Sequence, residues 1–276
     1  MCRHLFFVVV SAVLLSASVS ADTLVKIKNE QGKTASFMSN GQYGRMHTAG
    51  EDSYMIIHYA SQRIQVIIPA QGQVLDMSGA MPDLGLASMG MAGKAAEKIT
   101  MRVKAINGSP KIAGYVTRAY QLSANGENCG TLYASKAAMN DSGMRKMFNV
   151  MRNMMEKSQQ SMAAFAGMLT QCQRAQMSIS DNLSRLGAPL RMQDSRGHIQ
   201  SEVLSITKNA KLPVGTFTIP ASYKVVNLAG PMKQGQAVKN NAMPDMGKML
   251  QQMQKSGRMT PEMIKQMKQM QEMFQP

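Results

Sequence analysis

The chain has 276 residues, with 31 Lys and Arg against 16 Asp and Glu, and its formal net charge is +15 at pH 7. Aromatic residues make up only 5% of the chain and tryptophan is absent, whereas nucleic-acid-binding proteins usually interleave aromatic and basic residues. We therefore expect no nucleic-acid partner. The charge favours either contact with anionic lipid head groups or a generally cationic, well-solvated surface.

Residues 1–21 have the pattern of a secretory signal peptide. A short basic start precedes an apolar run from Leu5 to Leu15, and the segment ends in Val-Ser-Ala. We expect cleavage after Ala21 and a periplasmic location. The apolar run is too short for a permanent transmembrane helix, and a retained anchor is the alternative. Removal of this segment takes away Arg3 and leaves a net charge of +14.

Cleavage also removes Cys2 and leaves two cysteines, Cys129 and Cys172. In an oxidising compartment, such a pair is more often a disulfide than a metal site, and no clustered histidines accompany it. We predict a disulfide between these two residues. It would close a loop of roughly forty residues and stabilise the fold by about 3–4 kcal/mol.

Short runs of alternating apolar and polar residues fill the chain from Asp22 to Ser78. Turn residues such as Asn40-Gly41 separate them, which predicts antiparallel strands in TLVKIKN, TASFMSN, QYGRMHTA, SYMIIHYA and RIQVIIPA. The Gly-, Ala- and Met-rich segment 78–98 is typical of a loop. Further strands are predicted in EKITMRVKAIN, KIAGYVTRAYQLS and CGTLYAS and, after a helical region, in PLRMQDSR, QSEVLSITKN and FTIPASYKVV.

One long helix is predicted between the last two groups of strands, with its N-cap at Asp141 or Ser142 and its end near Gly187 and Pro189. Its stripe has a spacing of three and four residues and consists of Met147, Met151, Met154, Ser158, Ser161, Phe165, Met168 and Cys172. Strands followed by a helix and further strands predict an α+β fold. We expect a curved antiparallel sheet, a half-barrel, at 22–228, covered on one face by the long helix.

Three segments resemble a known family: GRMHTAGEDSYMIIHYASQRIQVIIPAQGQVLDM at 44–77, KIAGYVTRAYQL at 111–122 and FTIPASYKVV at 217–226. Paired apolar strands, an IAGY-type strand and a final F-x-I-P-x-x-Y are similar to the exported domain of unknown function 4412. That family is similar in turn to the periplasmic lipoprotein carriers, in which helices cover a half-barrel with an apolar cavity. The resemblance implies this fold, and its motifs are not catalytic.

Catalytic patterns are nearly absent from the sequence. The histidines left after cleavage, His47, His58 and His198, lack metal-ligand spacing, and no nucleophile elbow, phosphate-binding loop or dinucleotide fingerprint occurs. His58 lies in an apolar run, which favours a hydrogen-bonded structural role. The pair Glu51-Asp52 fits a turn better than a catalytic pair, because adjacent strand residues point to opposite faces. We expect no enzymatic activity and no cofactor.

Methionine occurs 29 times, often at helical spacing. Thioethers bind copper(I), and Met-x-x-Met spacings occur at 144/147, 151/154, 243/246 and 267/270. Methionine also packs helices and forms adaptable binding surfaces. We predict a helical lid that contacts a lipophilic ligand through Met147, Met151, Met154 and Phe165. Helix packing alone and copper(I) binding are the alternatives.

Residues 229–243 have the composition of a linker, and residues 244–276 are predicted to form short amphipathic helices. The last helix begins at Thr260-Pro261, and its apolar stripe is Met263, Met267, Met270 and Phe274. Lys265 and Lys268 back this stripe. Short helices are marginal alone in water, so this tail should dock on an anionic membrane surface, a partner or the main domain.

These features predict an exported, non-enzymatic protein of the cell envelope. Its partner would be a lipophilic ligand or a lipidated protein. A Met-rich copper(I)-binding protein and a structural envelope module are the competing hypotheses.

Overall fold

A computed structural model of the chain describes residues 22–77, 99–157 and 169–227. The predicted signal peptide, the Met-rich loop at 78–98, the linker, the helical tail and Phe165 lie outside the described residues. In the part of the chain that is described, no helix is long and apolar enough to cross a membrane.

Strands dominate the described residues. They are β1 Thr23–Asn29, β2 Thr34–Ser39, β3 Tyr43–Thr48, β4 Tyr54–His58, β5 Arg63–Ile68, β6 Gln73–Asp76, β7 Met101–Ile106, β8 Lys111–Ile112, β9 Tyr115–Val116, β10 Arg118–Ala124, β11 Glu127–Ser135, β12 Ala188–Gln193, β13 Ile199–Lys208 and β14 Lys224–Asn227. The helices are α1 Lys136–Asp141, α2 Met144–Lys157, α3 Gln171–Ser178 and α4 Ser180–Leu186, and a 3-10 turn spans Pro69–Gln71.

Twelve of these strands form one sheet in the order β14-β6-β5-β4-β3-β2-β1-β13-β12-β11-β10-β7, and β8 pairs with β9 separately. All pairings in the large sheet are antiparallel except that of β14 with β6, which is parallel. Its two end strands do not pair with each other, so the sheet is open. The molecule is therefore a large, mainly antiparallel sheet with few helices.

The predicted strands before residue 69 agree with β1 to β5, because local turn chemistry fixes where each one ends. Between β2 and β3, the side-chain oxygen of Asn40 accepts the backbone N–H groups of Gln42 and Tyr43 at 3.1 and 2.8 Å. Gly41 has a φ of +80°, which glycine adopts without strain. An Asn-Gly pair between alternating runs thus produces a hairpin.

The strand predicted in KIAGYVTRAYQLS is wrong as a single element. Ala113 and Gly114 have φ values of +50° and +83°, so the chain turns there and joins β8 to β9 as a small hairpin. The regular strand β10 begins only at Arg118. The run FTIPASYKVV is also mostly irregular, since only Lys224–Asn227 is a strand, and β6 was not predicted.

The single long helix is also a wrong prediction. Thr170 is extended, with a ψ of 160°, and its hydroxyl accepts the N–H of Gln173 at 3.2 Å. The Gln173 side chain accepts the N–H of Thr170 at 2.9 Å, and this capping box starts a new helix, α3. Cys172 therefore belongs to a different helix from Met147, and the predicted residues Ser158, Ser161, Phe165 and Met168 lie outside the described part.

The helices share one face of the sheet. Helix α3 packs on β10 and β11, α1 packs on β12 and β13, α4 packs on β12, and α2 packs on α4. The core between them includes Val25, Phe37, Leu132, Met139 and Leu190, each at most 1% exposed. Burial of one such side chain contributes about 1.5–3 kcal/mol, so this interface holds the helices on the sheet.

The opposite face is largely polar, as the alternation of the strands predicts. Lys104, Gln121, Thr131 and Gln193 form one cross-strand row there. A smaller apolar cluster on β4 to β6, with Ile56, Ile67 and Val74 as its buried members, packs against Phe217, Ile219 and Tyr223.

Candidate functional site

A continuous row of apolar side chains crosses the face of the sheet that carries the helices. Directly opposed residues of neighbouring strands lie on the same face. The strand register aligns Ile206, Val25, Phe37, Met46, Met55, Val66, Leu75 and Val226. The row therefore extends from β13, where helices cover the sheet, to β14 at its edge.

Burial changes along this row. Val25 and Phe37 are fully buried, whereas Met46, Met55, Val66 and Leu75 are only half-buried. We name these four half-buried residues the apolar strip. The strong helix packing lies on β10 to β13, and no helix packs comparably on β3 to β6 within the described residues. The strip is thus the part of the apolar face that the described helices leave least covered.

Helix α2 lies beside the strip. Met151 and Met154 are half-buried and pack against the same core cluster as Met46 and Met55 of the strip. Methionine side chains are unbranched and polarisable, so they adapt to irregular apolar shapes. Methionines of α2 and of the sheet therefore lie together where the apolar face changes from fully buried to half-buried.

The structure places the predicted ligand-contacting residues as follows. Met147 is 4% exposed and lies inside the core, whereas Met151 and Met154 lie at its boundary. Phe165 is outside the described residues. Their contact with a ligand stays a prediction. Met144, the Met-x-x-Met partner of Met147, is 2% exposed in the same core.

The strip itself was missed at the sequence level. Its members occur singly in four separate runs, and only the alternation of apolar residues within QYGRMHTA, SYMIIHYA and RIQVIIPA hints at them. A shift of one residue in any pairing would move a member to the other face. The register had to be known before the row could be recognised.

Polar contacts hold α2 near the ends of β3 and β4. The Lys146 ammonium donates to the carbonyl of Gly41 at 2.6 Å, and the Asn153 amide donates to the side-chain oxygen of Gln62 at 3.0 Å. An open cleft of about 640 Å³ lies beside these contacts, and it is lined by residues that include Tyr43, His58, Tyr59, Lys146, Asn149 and Val150. This volume lies within the range of small-molecule sites.

Tyr59 lines this cleft and packs against the core cluster. Its ring lies across Gly44, where a Cβ atom would stand only 2.6 Å from the Tyr59 hydroxyl. Burial raises the pKa of Tyr59 to about 12, although the hydrogen bond with the Ser39 hydroxyl, 3.0 Å away, acts in the opposite direction. The Tyr59 hydroxyl is neutral at physiological pH, and the charge on this side of the cleft comes from Lys146, whose ammonium lies 5.8 Å from the Tyr59 ring centroid.

The predicted disulfide is present. Cys129 and Cys172 are bonded, and their Cα atoms lie 5.1 Å apart. The bond joins α3 to β11, so it fixes a helix of the covering layer directly to the sheet. Cys129 is 4% exposed and belongs to the core.

His58 is hydrogen-bonded, in agreement with its predicted structural setting. Its Nε2 lies 2.9 Å from the side-chain oxygen of Gln65, and the Gln65 amide donates to Asp76 at 3.4 Å. Arg63 forms a salt bridge with the same carboxylate. A buried charge needs such partners, and this chain of groups satisfies Asp76. No cluster of three or more His, Cys, Asp or Glu residues with metal-binding geometry occurs in the part that the structure describes.

Comparisons with known proteins give little. No protein-family model matches the chain, so the resemblance to domain family 4412 has no support from that source. No curated protein matches it either. A solved structure described as "Crystal structure of MucB" is 11% identical, with a TM-score of 0.32 over 76% of this chain. The match spans 61% of that protein's chain, and a likeness this weak assigns no function.

Proposed function

We propose that this protein is an exported, non-enzymatic binding protein of the cell envelope that holds a lipophilic ligand on the apolar strip. The ligand would be a free lipid or the acyl chains of a lipidated protein. The observation that carries the proposal is the row of half-buried apolar side chains that continues a fully buried core. Removal of apolar surface from water favours binding by about 0.8 kcal/mol for each buried CH2 group.

Three further features support the proposal. The signal-like segment 1–21 fits export, and the open sheet with helices on one face fits a half-barrel such as that of the periplasmic lipoprotein carriers. Methionines at the border of the strip suit ligands of varied shape. The Met- and Lys-rich tail at 244–276 would bring the protein to an anionic membrane surface.

The alternatives have less support. Burial of Met144 and Met147 in the core favours helix packing over copper(I) binding for that pair. In a purely structural module, no ligand would cover the half-buried strip. Its apolar area would then stay in water, which costs free energy.

A pair of leucine variants tests the strip. Leu75 belongs to the strip, whereas Leu204 on β13 is 47% exposed outside it. We expect Leu75→Lys to weaken binding of the neutral probe N-phenyl-1-naphthylamine at least about ten-fold, since an ammonium group would lose water beside the probe. Leu204→Lys adds the same charge and should leave probe affinity unchanged.

Folding is the control, because lysine at a half-buried position can destabilise the sheet. Far-ultraviolet circular dichroism and urea unfolding of both variants would establish it, and Val66→Thr provides a milder second change within the strip. A folded Leu75→Lys protein that binds the probe as tightly as the unaltered chain would contradict the proposal. Mass spectrometry of protein purified from its own envelope would find lipid if we are right, and copper if the alternative holds.

A further inference from the structure

A second groove lies at the other end of the sheet, beside the edge strand β7. Its volume is about 930 Å³, and it is formed by β7, β10, the β8–β9 hairpin and the end of α4. Apolar side chains contribute much of the lining: Val103, Ala105, Val116, Tyr120, Ala134 and Leu186. Val116 is 61% exposed, so a large apolar side chain faces solvent at this groove.

Three cations also line the groove, namely Arg118, Lys136 and Arg185. No Asp or Glu is among the lining residues, and none of the three cations forms a salt bridge within the described part of the chain. The contacts that hold them are uncharged, since Arg185 donates to the side-chain oxygen of Asn182 at 2.8 Å and Arg118 lies 5.8 Å from the ring centroid of Tyr120. Among the described residues that line it, the groove therefore has three cations and no carboxylate.

The backbone brings these cations together from distant parts of the sequence. Arg118 on β10 lies opposite Ala134 on β11, two residues before Lys136. Gly187 follows the end of α4 and lies close to the start of α1, since a Cβ atom there would stand 2.6 Å from the backbone nitrogen of Lys136. This approach, which only glycine permits, sets the last turn of α4 and Arg185 beside Lys136.

We propose that this groove binds one molecule of an anionic phospholipid. The phosphate would meet the cations, where charge-assisted hydrogen bonds to Arg and Lys are strongest, and the acyl chains would lie on the apolar lining. A small soluble anion would leave the apolar lining and the exposed Val116 in water. A neutral lipid would leave three like charges uncompensated. The site is separate from the apolar strip, and the inference does not depend on the proposed function.

The test uses two short-chain lipids at concentrations below micelle formation. Dihexanoyl phosphatidylglycerol is anionic and dihexanoyl phosphatidylcholine is zwitterionic, and both have the same acyl chains. We expect the full chain to bind the anionic lipid at least about ten-fold more tightly in calorimetric titrations, because only that lipid compensates the cations. Equal affinities for the two lipids would overturn the proposal.

Matched variants locate the site. Arg118→Gln with Arg185→Gln should abolish the preference for the anionic lipid. Lys26→Gln with Arg102→Gln removes the same charge from exposed positions outside the groove lining and should preserve the preference. Loss of preference in both double variants would show a general effect of net charge and refute a built site.

Two further ligands separate the possible occupants. Glycerol phosphate lacks acyl chains and should bind at least about ten-fold more weakly than the anionic lipid, and Val116→Ser should weaken lipid binding without affecting glycerol phosphate. Equal binding of both ligands would mean that the groove is a soluble-anion site. Displacement of the lipid by an acidic peptide at equal concentration would favour a protein partner and overturn the proposal. Leu75→Lys should leave the lipid preference intact, so failure of the strip and failure of the groove are distinguishable.

Discussion

Removal of the Cys129–Cys172 disulfide should produce a large and calculable loss of stability. The two cysteines are 43 residues apart in sequence, and they close a loop that contains α1 and α2. In the loop-entropy model, a closed loop of this length restricts the unfolded chain by about 4 kcal/mol at 25 °C. This is a large share of the free energy of unfolding of a folded protein, which is typically about 5–15 kcal/mol.

The choice of replacement side chains also affects this loss of stability. Cys129 is 4% exposed in the core, so its replacement should avoid a buried hydroxyl without a partner. The double variant Cys129→Ala with Cys172→Ala meets this condition and should lower the free energy of unfolding by about 3–5 kcal/mol. The double variant should also loosen α3 locally, because the bond fixes α3 to β11.

Urea unfolding followed by circular dichroism measures the total effect, and hydrogen exchange of the α3 amides measures the local one. Dithiothreitol should lower the stability of the unaltered chain by a similar amount and should not affect the double variant. A loss smaller than about 1 kcal/mol would refute the argument, since the unfolded chain would then gain almost no freedom from the open loop.

Two further predictions concern single residues. Gly187→Ala should lower the free energy of unfolding in urea by at least about 2 kcal/mol, because φ is +115° and the added Cβ would stand 2.4 Å from the Ser135 carbonyl carbon. The control Gly50→Ala has open space at φ +81° and should lower it by about 1 kcal/mol. Equal losses in the two variants would contradict the close approach. Tyr59 has a pKa raised from 10.0 to about 12 in the folded chain, so its contribution to stability is complete below pH 10 and is lost as pH rises through 12. Absorbance titration of tyrosinate should show a late-titrating tyrosine that Tyr59→Phe removes. A titration curve that Tyr59→Phe leaves unchanged above pH 10 would disprove the effect of burial.

Much of the fold could be predicted because local chemistry determines it. The first five strands alternate apolar and polar residues between turn residues such as Asn40-Gly41, and each boundary depends on contacts within a few residues. The disulfide followed from a count, since removal of the signal-like segment leaves a single pair of cysteines. The prediction of one long helix failed because a capping box is a weak signal in a sequence. At Thr170, such a box begins a new helix inside the long apolar pattern.

The candidate sites depend on tertiary structure. The row from Val25 to Leu75 exists only because five hairpin registers place one residue from each strand on the same face, and a shift of one residue would break it. The groove at β7 requires Gly187 to bring α4 onto α1, which unites Arg118, Lys136 and Arg185 across nearly seventy positions of sequence.

By itself, the sequence determined the first five strands, the disulfide and the apolar and cationic character of the chain, because these depend on composition and short-range order. Only the tertiary structure decided that β14 pairs in parallel with β6, that Met147 is core while Met46 and Leu75 remain half-buried, and that three cations share one apolar groove. The physical reason is that burial and charge compensation depend on the neighbours that folding brings together. These neighbours come from distant segments, and no local pattern encodes which of them will meet.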